Sequence, residues 1–335
     1  MTNQATPSGA TSKSVADANV TPIVVTGANG FVGRAVVDML LAQGRHVVAS
    51  DINLEHTPSS SALRAVAGNL GAPDVRNEVF REGCAAIIHL AAVPGGAAEN
   101  DPLLSRRVNI ESTLDLINAA HAAGTGTPVR FVYASSIAVF GDKLPPNGLD
   151  DTTEVAPWLV YGAHKAMMEI AIATASRRGD IDGISLRLPG VLARPRAPSG
   201  LKSAFMSDLF HALRAGDSFA CPVSEDATIW AESITQCATN LIHALSVDTT
   251  RLPTSRALTL PALRIRMRDL VAAVAHRTRR DPALIDYRCD PEVEANFGRQ
   301  PELATPAADA LGFRHDGTVE GLVDRALARI EAVER

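Results

Sequence analysis

Tyr161 and Lys165 stand four residues apart, and the pair Ser135-Ser136 precedes them in the chain. On a helix that step returns both side chains to one face, one turn apart. A free phenol, with a pKa of roughly 10, is a poor base at neutral pH. An ammonium group within a few ångströms favours the phenolate and lowers that value. A serine hydroxyl nearby holds the oxygen of an alcohol or a ketone. Together the three groups can move a proton to or from a carbinol while a hydride leaves or arrives. Tyr-x-x-x-Lys also occurs by chance on helix surfaces, so the elements around the step decide whether it does chemistry.

Those elements read as a nucleotide cradle. Ile23-Val24-Val25-Thr26 is a short β-branched run of the kind found in buried parallel strands. It feeds Gly27-Ala28-Asn29-Gly30-Phe31-Val32-Gly33, and a helical pattern follows with Val32, Val36, Val37, Leu40 and Leu41 on one period. A Gly-x-x-Gly-x-x-Gly turn between strand and helix lets the backbone approach a pyrophosphate, which the free N–H groups and dipole of the helix start attract. Gly27, Gly30, Phe31, Val32 and Gly33 are therefore candidate cofactor contacts. The next strand, His46 to Ser50, ends at Asp51, followed by Ile52. A carboxylate about 20 residues past the glycines accepts hydrogen bonds from ribose hydroxyls and repels a 2′-phosphate. NAD is the expected cofactor, in preference to NADP.

Strand and helix keep alternating. Strands are expected around Ala65-Val66-Ala67, which leads into Gly68-Asn69-Leu70, and at Ala85 to Leu90, which opens onto Ala91-Ala92-Val93. Small residues at that strand end leave room for a flat cofactor. His89 beside it reads as a satisfied structural histidine. Leu114 to Ala123 is helical by pattern, Arg130 to Ala134 is a fifth strand, and residues 140–157 form a loop. The helix bearing Tyr161 and Lys165 runs through Thr174, and a sixth strand, Ile184 to Leu188, stops at Pro189-Gly190. This βαβ pattern implies an α/β fold with a doubly wound parallel sheet and a ligand bound beyond the strand C-termini. After residue 190 the alternation weakens. Arg194 to Gly200 is a breaker-rich loop, and helices are expected at Phe205 to Ala215, Ser233 to Leu245, Met267 to His276 and Glu320 to Val333. The reading is a tail over residues 1–20 that looks flexible, a dinucleotide-binding domain over 21–190, and a smaller, partly helical substrate lobe over 191–335 that is partly interleaved with it.

Composition bounds the rest. The chain has 335 residues, 46% hydrophobic and 21% charged, which supports a large core. A net charge of −5 gives no support to nucleic-acid or anionic-membrane binding. Cys84, Cys221, Cys237 and Cys289 are scattered without metal-ligand spacing, so free thiols in a reducing compartment and no metal site are expected. No run of 18 apolar residues occurs, and the first 20 residues lack the apolar segment of a signal peptide. The expected location is the cytoplasm.

Thr26-Gly27-Ala28-Asn29-Gly30-Phe31-Val32-Gly33, Asp51, His89-Leu90-Ala91-Ala92, Ser135-Ser136 and Tyr161-x-x-x-Lys165 resemble, in order and interval, the extended short-chain dehydrogenases/reductases of the NAD-dependent epimerase/dehydratase type. The resemblance covers about residues 21–330 and implies a Rossmann fold. It makes Ser136, four residues before Phe140-Gly141, the catalytic serine beside Tyr161 and Lys165. It implies cofactor contacts from Asp51, Ile52, Leu70, Leu90, Ala91, Ala92, Tyr161, Lys165 and Pro189. Asn69 stands where many members have Asp, and its oxygen could still bond an adenine amino group. A homodimer through sheet-flanking helices is also implied. Tyr161-Gly162-Ala163-His164-Lys165, Ser176 to Gly179, Leu186 to Pro189, Arg194-Pro195 and Cys221 to Ser224 are similar to the D-erythronate dehydrogenases, which oxidise the 2-hydroxyl of a four-carbon sugar acid with NAD. Gly190 stands where that likeness implies Thr, and Arg196-Ala197 where it implies Gly-Lys. A hydroxy-acid or sugar-acid substrate calls for a fork-shaped donor, and Arg194 and Arg196 are available. Trp230 either walls the substrate pocket or fills the core. The alternatives are a nucleotide-sugar epimerase or dehydratase, a ketone or steroid reductase, and a non-catalytic NAD-binding interaction protein.

Overall fold

The computed structural model describes residues 21–124, 126–196 and 202–333. The expected tail over residues 1–20 and the stretch 197–200 of the breaker-rich loop lie outside the described residues.

In chain order the first half runs β1 (Ile23–Thr26), α1 (Phe31–Ala42), β2 (Val47–Asp51), β3 (Leu63–Ala67), α2 (Pro73–Val79), β4 (Ala86–His89), α3 (Gly95–Asn100), α4 (Pro102–Arg106), α5 (Ser112–Ala123), β5 (Val129–Ser136), α6 (Val160–Arg178), β6 (Ile181–Leu188) and β7 (Gly190–Val191). The second half runs α7 (Phe205–Ala215), β8 (Phe219–Cys221), β9 (Thr228–Glu232), α8 (Ile234–His243), β10 (Ala257–Thr259), β11 (Leu263–Arg266), α9 (Met267–Thr278), β12 (Ile285–Tyr287), α10 (Pro291–Phe297), α11 (Pro306–Ala310) and α12 (Val319–Val333).

A seven-stranded sheet carries the fold, in the order β10-β6-β5-β4-β1-β2-β3. Every pairing in it is parallel. Both faces are covered, which is why β1 and β4 are buried at every position instead of alternating. Val25, Ala49 and Ile88 face α1 and α8, while Val24, Val48 and Ile87 face α5 and α6. The strand order reverses between β1 and β4, which opens a crevice at their C-terminal ends.

The chain beyond residue 190 does two jobs. β10 adds to the free side of β6, and α8 with Ala308, Leu311 and Phe313 packs into the core on the α1 face of the sheet. The remainder builds its own core around Phe205, Phe210, Leu270, Val274, Leu322 and Leu327. Two small sheets, β11-β9-β7 and β12-β8, sit in that part. No helix among the described residues is long and apolar enough to cross a membrane.

α6 ends at Gly179, whose φ of 79° is the left-handed conformation that closes helices. Its start lies hard against the chain after β5. A Cβ on Gly162 would come within 2.3 Å of Ala138 O, a backbone atom that cannot step aside cheaply. Gly162→Ala should therefore destabilise the protein by about 1–3 kcal/mol, the usual cost of overpacking. Thermal unfolding checks this: an unchanged Tm would mean that α6 can back away from the 137–140 turn at no cost.

Candidate active site

The first wall of the crevice is the glycine turn. Gly27 has φ 67°, and a Cβ there would meet Ala91 N at 2.6 Å. β1 and the loop after β4 are thus in backbone contact. Gly30 caps α1 with no side-chain hydrogen bond, so the helix's first N–H groups are left to an anion. At the end of β2, Asp51 Oδ2 accepts from Asn29 N at 2.9 Å and Oδ1 from Ile52 N at 2.7 Å. The carboxylate is locked beside the turn and half-buried, while Ile52 is exposed. Asn69 Oδ1 accepts from Gly71 N at 2.8 Å, and Leu70 is buried. A backbone cradle that a Cβ would fill, an uncapped helix start and an oriented carboxylate together fit a dinucleotide.

His89 at the end of β4 is a buried link. Its Nδ1 lies 2.6 Å from Thr26 Oγ1 and its Nε2 3.0 Å from Thr113 Oγ1. Thr113 spends its own proton on Asn109 O, so Nε2 is the donor to Thr113 and Nδ1 the acceptor from Thr26. Burial, helped by the charge of Lys165, pushes the imidazole down to about 3 and keeps it neutral. Asn109 was not legible as a site residue. It sits in a π-helical turn over Arg107–Glu111, accepts from Val93 N at 2.7 Å and donates to Val93 O at 3.0 Å. It thereby pins the loop after Leu90-Ala91-Ala92.

The second wall comes from β5, α6 and β6. Ser136 ends β5, and its Oγ accepts from Ala138 N at 3.1 Å, capping the 3₁₀ turn Ile137–Phe140. Tyr161 lies in the first turn of α6 and is half-buried. Lys165, one turn on, is only 2% exposed. Its Nζ donates to Ala134 O at 2.6 Å and lies 4.5 Å from the Tyr133 ring centroid and 5.5 Å from that of Tyr161. Burial pulls the Lys165 ammonium down to about 7, against the field of Glu169. Burial also pushes the Tyr161 phenol up to about 12, and the cation that opposes this is Arg194. Lys165, expected from the sequence to depress Tyr161, stands with Nζ 5.5 Å from the centre of its ring. Lys165 itself suffers from desolvation and is committed to a backbone carbonyl.

The structure separates the two candidate arginines. Arg194 is half-buried, with Nε donating to Val191 O at 3.1 Å, and its field reaches Tyr161. Arg196 is exposed and, with Phe31, Arg34 and His211, lines a cavity of about 560 Å³ between α1, α7 and α12, to which Ala193 and Pro195 on either side of Arg194 also contribute. Trp230 is 1% exposed, packs with Val139, Phe140 and Ala166, and donates from Nε1 to Pro301 O at 2.8 Å. It belongs to the core, not to an open wall. Pro189 is buried between β6 and β7.

A parallel sheet with a dinucleotide cradle at its switch point, and a Ser, Tyr and Lys set on the next strand and helix, defines a nucleotide-dependent oxidoreductase. Residues 23–232 match the NAD dependent epimerase/dehydratase family. The chain belongs to that family, the extended short-chain dehydrogenases/reductases, and is an NAD-dependent enzyme. It is 30% identical over 311 residues to D-erythronate dehydrogenase from Haemophilus influenzae, covering 90% of this chain and 98% of that one. The namesake from Cupriavidus necator is 29% identical over 314 residues, covering 90% and 96%. Among solved structures, a nucleoside-diphosphate-sugar epimerase from Agrobacterium tumefaciens superposes with a TM-score of 0.80 at 28% identity, covering 90% of this chain and 92% of that one. The holo form of a GalE-like L-threonine dehydrogenase from Cupriavidus necator shares the fold, with a TM-score of 0.80 at 22% identity and coverage of 92% and 99%.

The neutral state of His89 sets a pH dependence. In the unfolded chain it binds a proton below its ordinary value of 6.5, and in the folded chain only below about 3. Between these values the unfolded state holds more protons, so stability falls as pH drops through that window. Between pH 7 and 4.5 the wild type should lose about 2–3 kcal/mol more than His89→Gln. Urea unfolding of both proteins at the two pH values measures this. Parallel losses would show that another group drives the acid transition.

Proposed function

We propose that the chain oxidises a secondary alcohol, the 2-hydroxyl of a small sugar acid, with D-erythronate as the reference compound. Bound NAD supplies the hydride acceptor. Gly27, Gly30, Phe31, Val32 and Gly33 would hold its pyrophosphate, and Asp51 with Ile52 the adenosine ribose. Asn69 and Leu70 would meet the adenine, and Leu90, Ala91, Ala92 and Pro189 would line the rest of its path. Tyr161 takes the carbinol proton, and Ser136 holds the same oxygen as charge develops on it. Lys165 contributes a cation on the face of α6 that carries Tyr161.

One observation carries the acid part of this reading. The ionisable groups whose fields reach the half-buried Arg194 are Tyr161 and Cys237. Burial raises both well above neutrality, so neither neutralises the guanidinium. A cation next to the base and, among the described residues, without an anion of its own suits a substrate whose carboxylate adjoins the reacting carbinol. The two D-erythronate dehydrogenases support the same reading. The nucleotide-sugar epimerase among the structural relatives keeps a second reading open, in which added NAD is not consumed.

Reduction of free NAD, followed by NADH absorbance over a panel of C4–C6 aldonic and uronic acids, separates the two. Tyr161→Phe should lower kcat by about 10²–10⁴-fold. Arg194→Gln should raise KM for the acid about 10–100-fold, the loss of a charge-assisted bond, with no matching penalty for the corresponding polyol. Dialysed wild type inert towards every acid with NAD, or Tyr161→Phe at full rate, would end the proposal.

A homodimer is part of the same proposal. Met167 and Ile170 on α6 are 52% and 70% exposed, and Leu103, Leu104 and Leu114 are exposed on the neighbouring α4 and α5. Apolar side chains this open favour a second copy of the same face. Light scattering should give twice the chain mass for the wild type and one chain mass for Ile170→Asp; a monomeric wild type would exclude the dimer. Cys84, Cys221, Cys237 and Cys289 are not joined in disulfides, and a reducing compartment such as the cytoplasm belongs to the same proposal.

A further inference from the structure

Behind the Tyr161 face lies a buried polar cluster that the proposed reaction does not use. Glu169 is one turn beyond Lys165 on α6, and both are buried. Its Oε1 accepts from Ser135 Oγ at 2.6 Å and from Arg187 Nε at 3.0 Å, and its Oε2 from Arg187 Nη2 at 2.7 Å. Ser135 on β5 and Arg187 on β6 are register partners across the sheet. The Arg187 guanidinium also lies over the Phe140 ring, 4.9 Å from its centroid. One carboxylate therefore ties together the strand ending in Ser136, the strand leading to Pro189, and the helix bearing Tyr161 and Lys165.

The surroundings of Lys165 show what that carboxylate does. Tyr161 and Glu169 stand one turn to either side of it on the same face of α6, Glu169 acting through space without a direct ion pair, while Tyr133 faces it from β5, His89 from β4, and Arg187 stands behind Glu169 on β6. His89 is neutral, and the phenols of Tyr133 and Tyr161 are both raised by burial. Nζ itself donates to a carbonyl, which carries no full charge. Among these neighbours the Glu169 carboxylate is the one anion that can offset the buried ammonium.

We propose that Glu169 is the counter-ion that keeps Lys165 an ammonium in its buried seat, held in place for that task by Arg187 and Ser135. Glu169 is then a positioning residue: it touches no reacting atom and acts through Lys165. The role in catalysis rests on the reading of Lys165 given above, but the charge state can be measured without it.

Lysine occurs at four positions, Lys13, Lys143, Lys165 and Lys202, so protein grown on [¹³Cε]lysine gives a spectrum of four side chains. Lys13→Arg, Lys143→Arg and Lys202→Arg assign Lys165 by elimination. In the wild type the Lys165 signal should titrate with a midpoint of about 7. In Glu169→Gln the midpoint should fall by about one pH unit or more, the effect of losing an opposite charge at this range, and Glu169→Asp should restore part of it. If Glu169→Gln does not fold, because Arg187 is left as a buried unpaired charge, Glu169→Gln/Arg187→Gln removes both charges and should still lower the midpoint, by less than the single variant because the repulsion of the more distant Arg187 cation is lost with it. With D-erythronate and NAD, the alkaline limb of kcat should move down in step. An unmoved Lys165 midpoint overturns the counter-ion role whatever the enzyme does. A midpoint that moves while Tyr161→Phe remains active overturns the Tyr161 reading instead and leaves the counter-ion standing.

Discussion

An ammonium group with almost no access to water sits at the centre of this molecule, and most of the architecture around it follows from that. Removing such a cation from water costs several kcal/mol unless partners replace the lost hydration. Lys165 finds one carbonyl, two aromatic faces and the field of one carboxylate. The carbonyl belongs to Ala134, two residues before Ser136, so the contact that houses the charge also sets the depth at which β5 delivers its serine. The same contact fixes α6 along the sheet and therefore places Tyr161. Breaking the Arg187–Glu169 pair from either side would cost about 3–5 kcal/mol, because a buried charge is left alone. Positioning and stability are in this region the same interaction.

The crevice is assembled by sheet order more than by sequence proximity. β4, β1 and β2 are neighbours in the sheet and end beside one another, so Ala91, Gly27 and Asp51 converge although Ala91 and Asp51 lie 64 and 24 residues from Gly27 in the chain. Thr26 shows how closely the ends are coupled. Its hydroxyl bonds His89 and stands within 3.3 Å of Leu90 N, so the glycine turn and the loop after β4 share one side chain. Neutral His89 is what makes this affordable. A protonated imidazole there would face Lys165 with no anion between them.

Much of this was legible in the chain, and the limits have physical causes. β1, β2, β4, β5 and β6 are short apolar or β-branched runs ended by glycine, proline or polar residues, and their positions agree with the pattern to within a few residues. α7 and α12 have strong apolar stripes and were equally plain. α2, α3 and α4 were not, because five to seven residues do not complete two helical periods, and Gly95-Gly96-Ala97-Ala98 has no stripe at all. β10 was hidden for a related reason: three residues carry no period, and only the free side of β6 makes them a strand. At the site, residue types and spacing disclosed Ser136, Tyr161, Lys165 and the glycine turn. They could not disclose that Arg187 and Glu169, 18 residues apart, meet behind Lys165. Nor could they separate Arg194 from Arg196, since two steps along a loop decide which guanidinium is half-buried with its field on Tyr161 and which is exposed.

Glu232 shows why the cluster behind Lys165 needs its arginine. It is as deeply buried as Glu169, at the end of β9. Its Oε1 accepts from Asn240 Nδ2 at 2.6 Å, but its Oε2 has no partner among the described residues, and Asp316 lies near enough to disfavour a second negative charge. Burial therefore raises its carboxyl well above the ordinary carboxylate range and favours the neutral acid. In that form Glu232, beside a Cys237 thiol that burial also holds protonated, puts no full negative charge on the Arg194 side of the crevice. The two buried glutamates thus divide the charge of the site between them. The one clamped by a guanidinium supplies an anion behind Lys165, where a cation is to be kept. The one without a cation among the described residues is pushed towards its neutral form, which leaves the positive field of Arg194 to Tyr161.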